Sequence, residues 1–226
     1  MNKWEKIHRE KEWGKYPNEE LIRFVGRNFF KYEINKRKNI KILELGVGQG
    51  ANVWFLLREG FDVYGIDISP TAIEKMKNRL NNEGFVLNDF NCRFKVGDIR
   101  KIPFEDSYFD VVIDVATTWY VSYIDHKKVY NEIYRVLKNQ GLFFTLHILK
   151  GSWGYNKSKL IDKDTVIDVE EGPLANQGVQ YFAEYNDLIE LLQNSGFKIV
   201  EKEILIRSYE NMTKFLKFAI IICKKC

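Results

Sequence analysis

Cysteine, proline and histidine are scarce in this chain. Three cysteines, Cys92, Cys223 and Cys226, are too few to staple 226 residues, so free thiols in a reducing compartment are expected. Cys223 and Cys226 form a CxxC at the end of an apolar run, with no second pair and no helix start to activate a thiol, which argues against a zinc knuckle and a redox motif alike. With only three histidines in all, no metal site is expected. Charge of one sign is also lacking: 35 Lys and Arg stand against 31 Asp and Glu, interspersed along the chain. A nucleic-acid partner is therefore not expected, since phosphate attraction needs a concentrated basic face. No apolar run approaches a membrane span, and "MNKWEKIHREKEWGKY" lacks the apolar centre of a signal peptide. The expectation is a cytoplasmic protein that engages no membrane.

Aromatic residues are abundant, with 16 Phe, 12 Tyr and 5 Trp, and the 45% hydrophobic content can fill the core of a single domain spanning 1–226. Residues 1–38 form a helical cover in this reading. Trp4, His8, Trp13 and Tyr16 precede Pro17, and Asn18 then caps a helix with Leu21, Val25, Phe29 and Tyr32 on one face. From Ile40 short strands alternate with helices: strands at "IKILEL", Val63–Asp67, "CRFKVGD", Tyr108–Val115 and "LFFTLHIL", and helices from Ser69-Pro70 to Asn81 and from Ile124 to Leu137, the latter stopped by Gly141. This rhythm predicts an α/β fold, a doubly wound and mostly parallel sheet. The segment 150–182 shows no period and reads as an insertion forming a lid. A helix from Glu184 to Asn194 follows, then strands "FKIVEKEILI" and "LKFAIIICKK" too close together for a helical crossover, hence an antiparallel hairpin at the sheet edge.

Gly46, Gly48 and Gly50 open the first helix, where backbone amides can face a ligand. Read as Gly46-x-Gly48-x-x-Ala51 with Asp67 downstream, the loop also fits a dinucleotide fingerprint, so a nicotinamide-dependent oxidoreductase is one reading. Glu44, Asp67, Asp98 and Asp114 all fall at strand ends beside it. Carboxylates gathered there repel a pyrophosphate and attract a sulfonium and an ammonium. In this reading Asp98 accepts from an adenine amino group, Ile99 lies against the ring, and Asp114 takes the ammonium.

The motifs "ELGVGQG" (Glu44–Gly50), "GIDIS" (Gly65–Ser69), "VGDIRKIPFEDSYFDVVIDV" (Val96–Val115) and "YNEIYRVLKNQG" (Tyr130–Gly141) resemble, in order, those of the class I, seven-stranded S-adenosylmethionine-dependent methyltransferases of small-molecule type. The resemblance covers about Leu21 to Lys224, with one departure at Gln140, where that turn commonly has a second glycine. It implies a transferase using S-adenosyl-L-methionine, with Glu44, Gly46, Gly48, Gly50, Asp67, Ile68, Asp98, Ile99 and Asp114 around the cofactor and both ribose hydroxyls on Asp67.

Methyl transfer is a displacement in which the protein aligns donor and acceptor; a base is needed only where the acceptor must lose a proton. Tyr123, His126 and His147, near the ends of the fourth and fifth strands, are the candidates for that role, and Trp119 and Tyr120 for a substrate wall. The resemblance places the acceptor pocket in the 150–182 insertion, where Trp153, Tyr155, Glu171 and Tyr181 offer aromatic walls and a carboxylate. The expected reaction is methylation of an oxygen or nitrogen of a small molecule. The four prolines include no Pro-Pro-aromatic run and no Pro-Cys pair, which weighs against methylation of a nucleic-acid base. Methylation of RNA or protein, and a non-catalytic adaptor of the same fold, are the other readings; oligomeric state is not legible.

Overall fold

A computed structural model describes residues 2–226. Helices α1 (Lys3–Glu10), α2 (Glu19–Phe29) and the short α3 (Ile34–Arg37) come first. Alternation then sets in with β1 (Lys41–Leu45), α4 (Ala51–Arg58), β2 (Asp62–Asp67), α5 (Pro70–Asn82), the single turn α6 (Phe90–Arg93), β3 (Phe94–Val96), β4 (Phe109–Val115), α7 (Tyr123–Val136) and β5 (Leu137–Ile148). Short strands β6 (Lys159–Asp162), β7 (Thr165–Ile167) and β8 (Gln180–Tyr181) precede α8 (Tyr185–Asn194), β9 (Phe197–Tyr209) and β10 (Lys214–Lys225).

The seven-stranded sheet has the order β3-β2-β1-β4-β5-β10-β9, parallel from β3 to β5, with β10 antiparallel between β5 and β9. The doubly wound sheet and its C-terminal hairpin are thus as the sequence predicts. The chain winds outward from β1 to β3, then returns to β4 on the other side of β1. A crevice forms at that reversal, above the carboxyl ends of the strands.

Strand alternation divides the core. Leu43, Leu45, Val112 and Phe143 pack toward α7 and α8, while Ile42, Val63, Val111, Ile113 and Phe144 pack toward α2, α4 and α5. Each such buried side chain contributes roughly 2 kcal/mol of apolar transfer energy. The helices begin where the sequence marks them: Asn18 Oδ1 accepts from the amides of Glu20 and Leu21, and Ser69 Oγ from that of Ala72. Tyr32 lies beyond the end of α2 and is exposed, so it does not extend the apolar face.

Two expectations need correction. Gly141 does not stop the helix; α7 ends at Val136 and the chain enters β5 directly, with Gln140 taking the positive φ of 67° and Gly141 lying within the strand. The insertion is not irregular either, for β6, β7 and β8 form a small antiparallel sheet. Strands of two to four residues are too short to show period two in the sequence. Among the described residues no helix is long and apolar enough to cross a membrane.

Candidate active site

The site begins with the turn after β1. Gly46 has φ 67°, and a methyl group there would collide with the Thr117 hydroxyl, which donates to the Leu45 carbonyl (2.8 Å) and closes the turn from the β4 side. Gly50, φ 83°, starts α4, where a side chain would strike Met76. Two positive-φ glycines and close packing bend the backbone so that the start of α4 faces the crevice.

Two buried carboxylates stand beside this turn. Asp67 accepts from the Gly48 amide and the Ser69 amide, both at 2.8 Å, and so holds the loop against the end of β2. Glu44, 2% exposed, accepts from Asn52 Nδ2 at 2.7 Å through Oε1, while Oε2 has no protein partner. Burial pushes the Glu44 carboxyl up to about 8, with the nearby Asp67 adding to the shift and Asn52 opposing it. Burial raises Asp67 as well, against the pull of its two amide donors. Among the described residues neither forms an ion pair with a lysine or arginine, so no protein cation balances negative charge on the pair.

A cover is fastened over that region by α1. Glu5 accepts from Ser69 Oγ (2.6 Å) and Thr71 Oγ1 (2.7 Å) at the start of α5, and these hydroxyls lower its carboxyl to about 2. Gln49, from the glycine loop, accepts the Trp13 amide (2.9 Å) and donates to the Lys11 carbonyl (2.9 Å). That double anchorage fixes its amide orientation, so the contact between Gln49 Nε2 and His8 Nδ1 at 3.3 Å has Gln49 as donor. His8 is therefore the neutral tautomer with its proton on Nε2, consistent with burial lowering its pKa. Trp4 packs edge-on to Tyr120 with ring centroids 4.5 Å apart, joining the cover to the chain after β4.

A cavity of about 760 Å³ lies between cover and sheet, walled by Glu44, Gly46, Gly48, Asp67, Ile68, Asp98 and Ile99 among the residues singled out by sequence. Asp98 is held below the usual carboxylate range by Arg100, which pairs with it at 2.6 Å and with Asp125 at 2.7 Å, linking two sides of the opening. Gly50 stands just outside the wall. Tyr120 is on the wall; Trp119 is buried in a separate cluster with Phe218.

Asp114, Tyr123, His126 and His147 are not brought to this cavity. Asp114 is fully buried and receives the Thr117 and Thr118 amides and the hydroxyls of Thr118 and Thr145, so it braces the end of β4 and leaves no acceptor for an ammonium. The cause is strand parity. In β1 and β4, Glu44 is level with Ile113 and Leu45 with Asp114, which places the two carboxylates on opposite faces of the sheet. His147 and Thr145 share the Asp114 face. His147 and His126 are fully buried with Nε2 atoms 3.4 Å apart, each Nδ1 within 2.9 Å of a carbonyl, and burial lowers them to about 3 and about 4. Tyr123 packs against Tyr181. In the insertion, Trp153 packs on Tyr209, Tyr155 on Phe182 and Glu171 near Lys214, while Tyr181 is buried against His126. Ile161 and Val179 reach the cavity instead.

Residues 43–145 match the protein family described as methyltransferase domain. A sterol 4-C-methyltransferase of Caenorhabditis elegans is 33% identical over 113 residues, 50% of this chain and 32% of that protein. The fold is shared with a solved methyltransferase structure from Methanosarcina mazei, with TM-score 0.67 and 22% identity over 86% of this chain and 97% of that one. It is shared as well with 1,6-didemethyltoxoflavin-N1-methyltransferase of Burkholderia thailandensis, solved with S-adenosylhomocysteine, at TM-score 0.60 and 15% identity over 91% and 86% of the two chains. The matched segment runs from β1 into β5, so the glycine turn and the carboxylates beside it all lie within the part of the chain that is similar to a methyltransferase domain.

The chain spans between about a third and a half of the length of the curated sterol C-methyltransferases it matches. Its site passes a physical test for S-adenosylmethionine: an orphaned, buried carboxylate oxygen on Glu44 calls for a donor, and at Gly48 a side chain would meet only the His8 ring, at 3.7 Å. Asn52, Gln49, Thr117 and Arg100 were not picked out from the sequence. The signal for Asn52 and Gln49 is their place at the loop and first helical turn, where a polar side chain folds back on the strand end.

Proposed function

We propose that this chain binds S-adenosylmethionine above the glycine turn and transfers its methyl group to a carbon of a small, largely apolar acceptor. The carrying observation is the pair of buried carboxylates with no protein cation, one of them with an unpaired oxygen on the cavity wall. Such a pair favours a ligand bearing positive charge and disfavours a pyrophosphate, which weighs against the nicotinamide reading. When bound, the cofactor supplies an electrophilic methyl group on a sulfonium; the chain's own residues hold, orient and shield it. In this proposal Glu44 takes the ammonium, Asp67 the ribose hydroxyls, and Asp98 and Ile99 the adenine, while α1 excludes water.

Carbon replaces the oxygen or nitrogen expected from sequence for two reasons. The relatives in sequence are named for transfer to carbon. The only imidazole on the wall among the described residues, that of His8, carries its proton on Nε2 and has Nδ1 engaged, so it is a donor rather than a base. A carbon–carbon double bond attacks with its π electrons and need not lose a proton first: the new carbon–carbon bond would form as the methyl–sulfur bond breaks, S-adenosylhomocysteine would leave, and the carbocation would afterwards give up a proton to water at the cavity mouth. The aromatic faces of Trp4 and Tyr120 support the positive charge that follows. Ile161 and Val179 give the small sheet its part as the acceptor lid.

Calorimetry with S-adenosylmethionine, S-adenosylhomocysteine and NADH tests the cofactor half: the first two bind, NADH does not, and Asp67→Ala weakens both by about a hundredfold through lost charge-assisted hydrogen bonds. NADH binding, or an unchanged affinity in the variant, would overturn it. Transfer of labelled methyl groups to a panel of sterols and other alkenes, set against phenols and amines, tests the acceptor half.

A further inference from the structure

Three aliphatic side chains are left in water where the small sheet meets α7: Ile124 is 77% exposed, Leu160 61% and Ile161 48%. Their segments are stapled together, because the Ile124 amide donates to Asp162 Oδ2 (3.1 Å) and the Tyr123 amide to Thr165 Oγ1 (2.9 Å). Ile161 also stands on the wall of the main cavity, so this surface is the rim of its opening. Beside it, Ile124 shares a groove of about 510 Å³ with Lys101, Lys127 and Lys128. Those lysines and Lys159 are exposed and form no ion pair among the described residues. Of the acidic groups nearby, Asp125 is matched by Arg100 and Glu132 by Arg135, while Asp162 accepts the amides of Ile124 and Lys163.

Solvated isoleucines ringed by uncommitted lysines are costly in water and complementary to one kind of surface, an apolar layer beneath anionic headgroups. We propose that the rim formed by the start of α7 and the β6–β7 hairpin docks the protein peripherally on an anionic lipid bilayer, with Ile124, Leu160 and Ile161 in the headgroup boundary and the lysines against the phosphates. An RNA strand fits less well. Lysines attract it equally, but aliphatic side chains offer no stacking platform for bases. Docking there opens the cavity toward the layer in which apolar molecules dissolve.

The test needs neither cofactor nor acceptor, so its failure is separable from that of the methyl-transfer reading. The full chain is sedimented with vesicles of phosphatidylcholine alone or mixed with phosphatidylserine, at low and high salt. Binding is expected to the mixed vesicles only and to weaken with salt. Lys127→Gln and Lys128→Gln each reduce it about fivefold, and Ile124→Asp with Leu160→Asp abolishes it. Lys36→Gln with Lys38→Gln, exposed residues around α3 ahead of β1, leaves it unchanged. All six positions are exposed, so thermal unfolding of each variant matches the parent. No binding to mixed vesicles, equal loss in the Lys36 and Lys38 variant, or oligouridylate binding that Ile124→Asp does not alter would overturn the proposal.

Discussion

Two buried carboxylates sit one residue out of register on adjacent strands, Glu44 on β1 and Asp114 on β4, and they have opposite fates. Glu44 has one donor, Asn52, and an oxygen without a partner on the cavity wall. Asp114 has four donors, all from the protein, and lies sealed beneath α7. Both are raised by burial, yet only Glu44 is left needing something from outside. A saturated buried carboxylate is a structural brace; an unsaturated one is a cost to the fold that a ligand offsets.

The sharpest way to break this comparison is to neutralise each in turn. Asp114→Asn puts an amide NH₂ among four donors, and a loss of about 3 kcal/mol in stability is expected, with S-adenosylmethionine affinity of the folded fraction changed less than about twofold. Glu44→Gln is expected to do the reverse. The cofactor-free protein gains about 1–3 kcal/mol because folding no longer has to protonate a carboxylate that is ionised in the unfolded chain, and affinity falls about tenfold or more. Denaturant titration and calorimetry on the same samples read both quantities. A common response of the two variants would remove the distinction.

This difference was only half legible in the sequence. Glu44, Asp67, Asp98 and Asp114 all end strands, and strand ends locate the crevice correctly. What decides the fate of each is which face its side chain takes, and that depends on register between β1 and β4, a non-local property that one strand's sequence does not carry. The sheet order itself was readable because the alternation of strands and helices permits few topologies. The cover was readable as aromatic and helical, but not its fastening, since Glu5 finds Ser69 and Thr71 more than sixty residues away. In the insertion, aromatic residues drew attention as a pocket, yet large aromatics are what a three-stranded sheet needs for its own small core. Ile161 and Val179, without chemistry of their own, reach the cavity.

A second, more moderate effect follows from the sign of the Glu44 shift. Its folded value of about 8 lies above the ordinary 4.5, so between these values the folded chain holds a proton that the unfolded chain has lost. Stability of the cofactor-free protein is therefore expected to fall as pH rises through that window, with Asp67 acting in the same direction. Binding a cation reverses the preference and draws the proton off Glu44. At pH 7 calorimetric enthalpies of S-adenosylmethionine binding should differ between buffers of different ionisation enthalpy, and well above the Glu44 value they should converge. In Glu44→Gln the buffer dependence at pH 7 should vanish; its persistence would assign the proton elsewhere.

The smallest effect is expected at His147, the residue whose type most invites a catalytic role. Its Nε2 and that of His126 face each other at 3.4 Å while each Nδ1 is spent on a carbonyl, so with both rings neutral two lone pairs oppose one another. His147→Leu removes that opposition. It also takes a donor from the Ile148 carbonyl, which keeps the Ala183 amide at 3.2 Å, so the two changes offset each other to within about 1 kcal/mol. Because the ring lies on the Asp114 face and away from the cavity, kcat/KM for methyl transfer should stay within about twofold of the parent. A general base at that position would instead cost about a hundredfold or more. Such a loss, with stability unchanged, would mean that the sealed face of the sheet communicates with the reaction after all and that the division between Glu44 and Asp114 has been drawn too sharply.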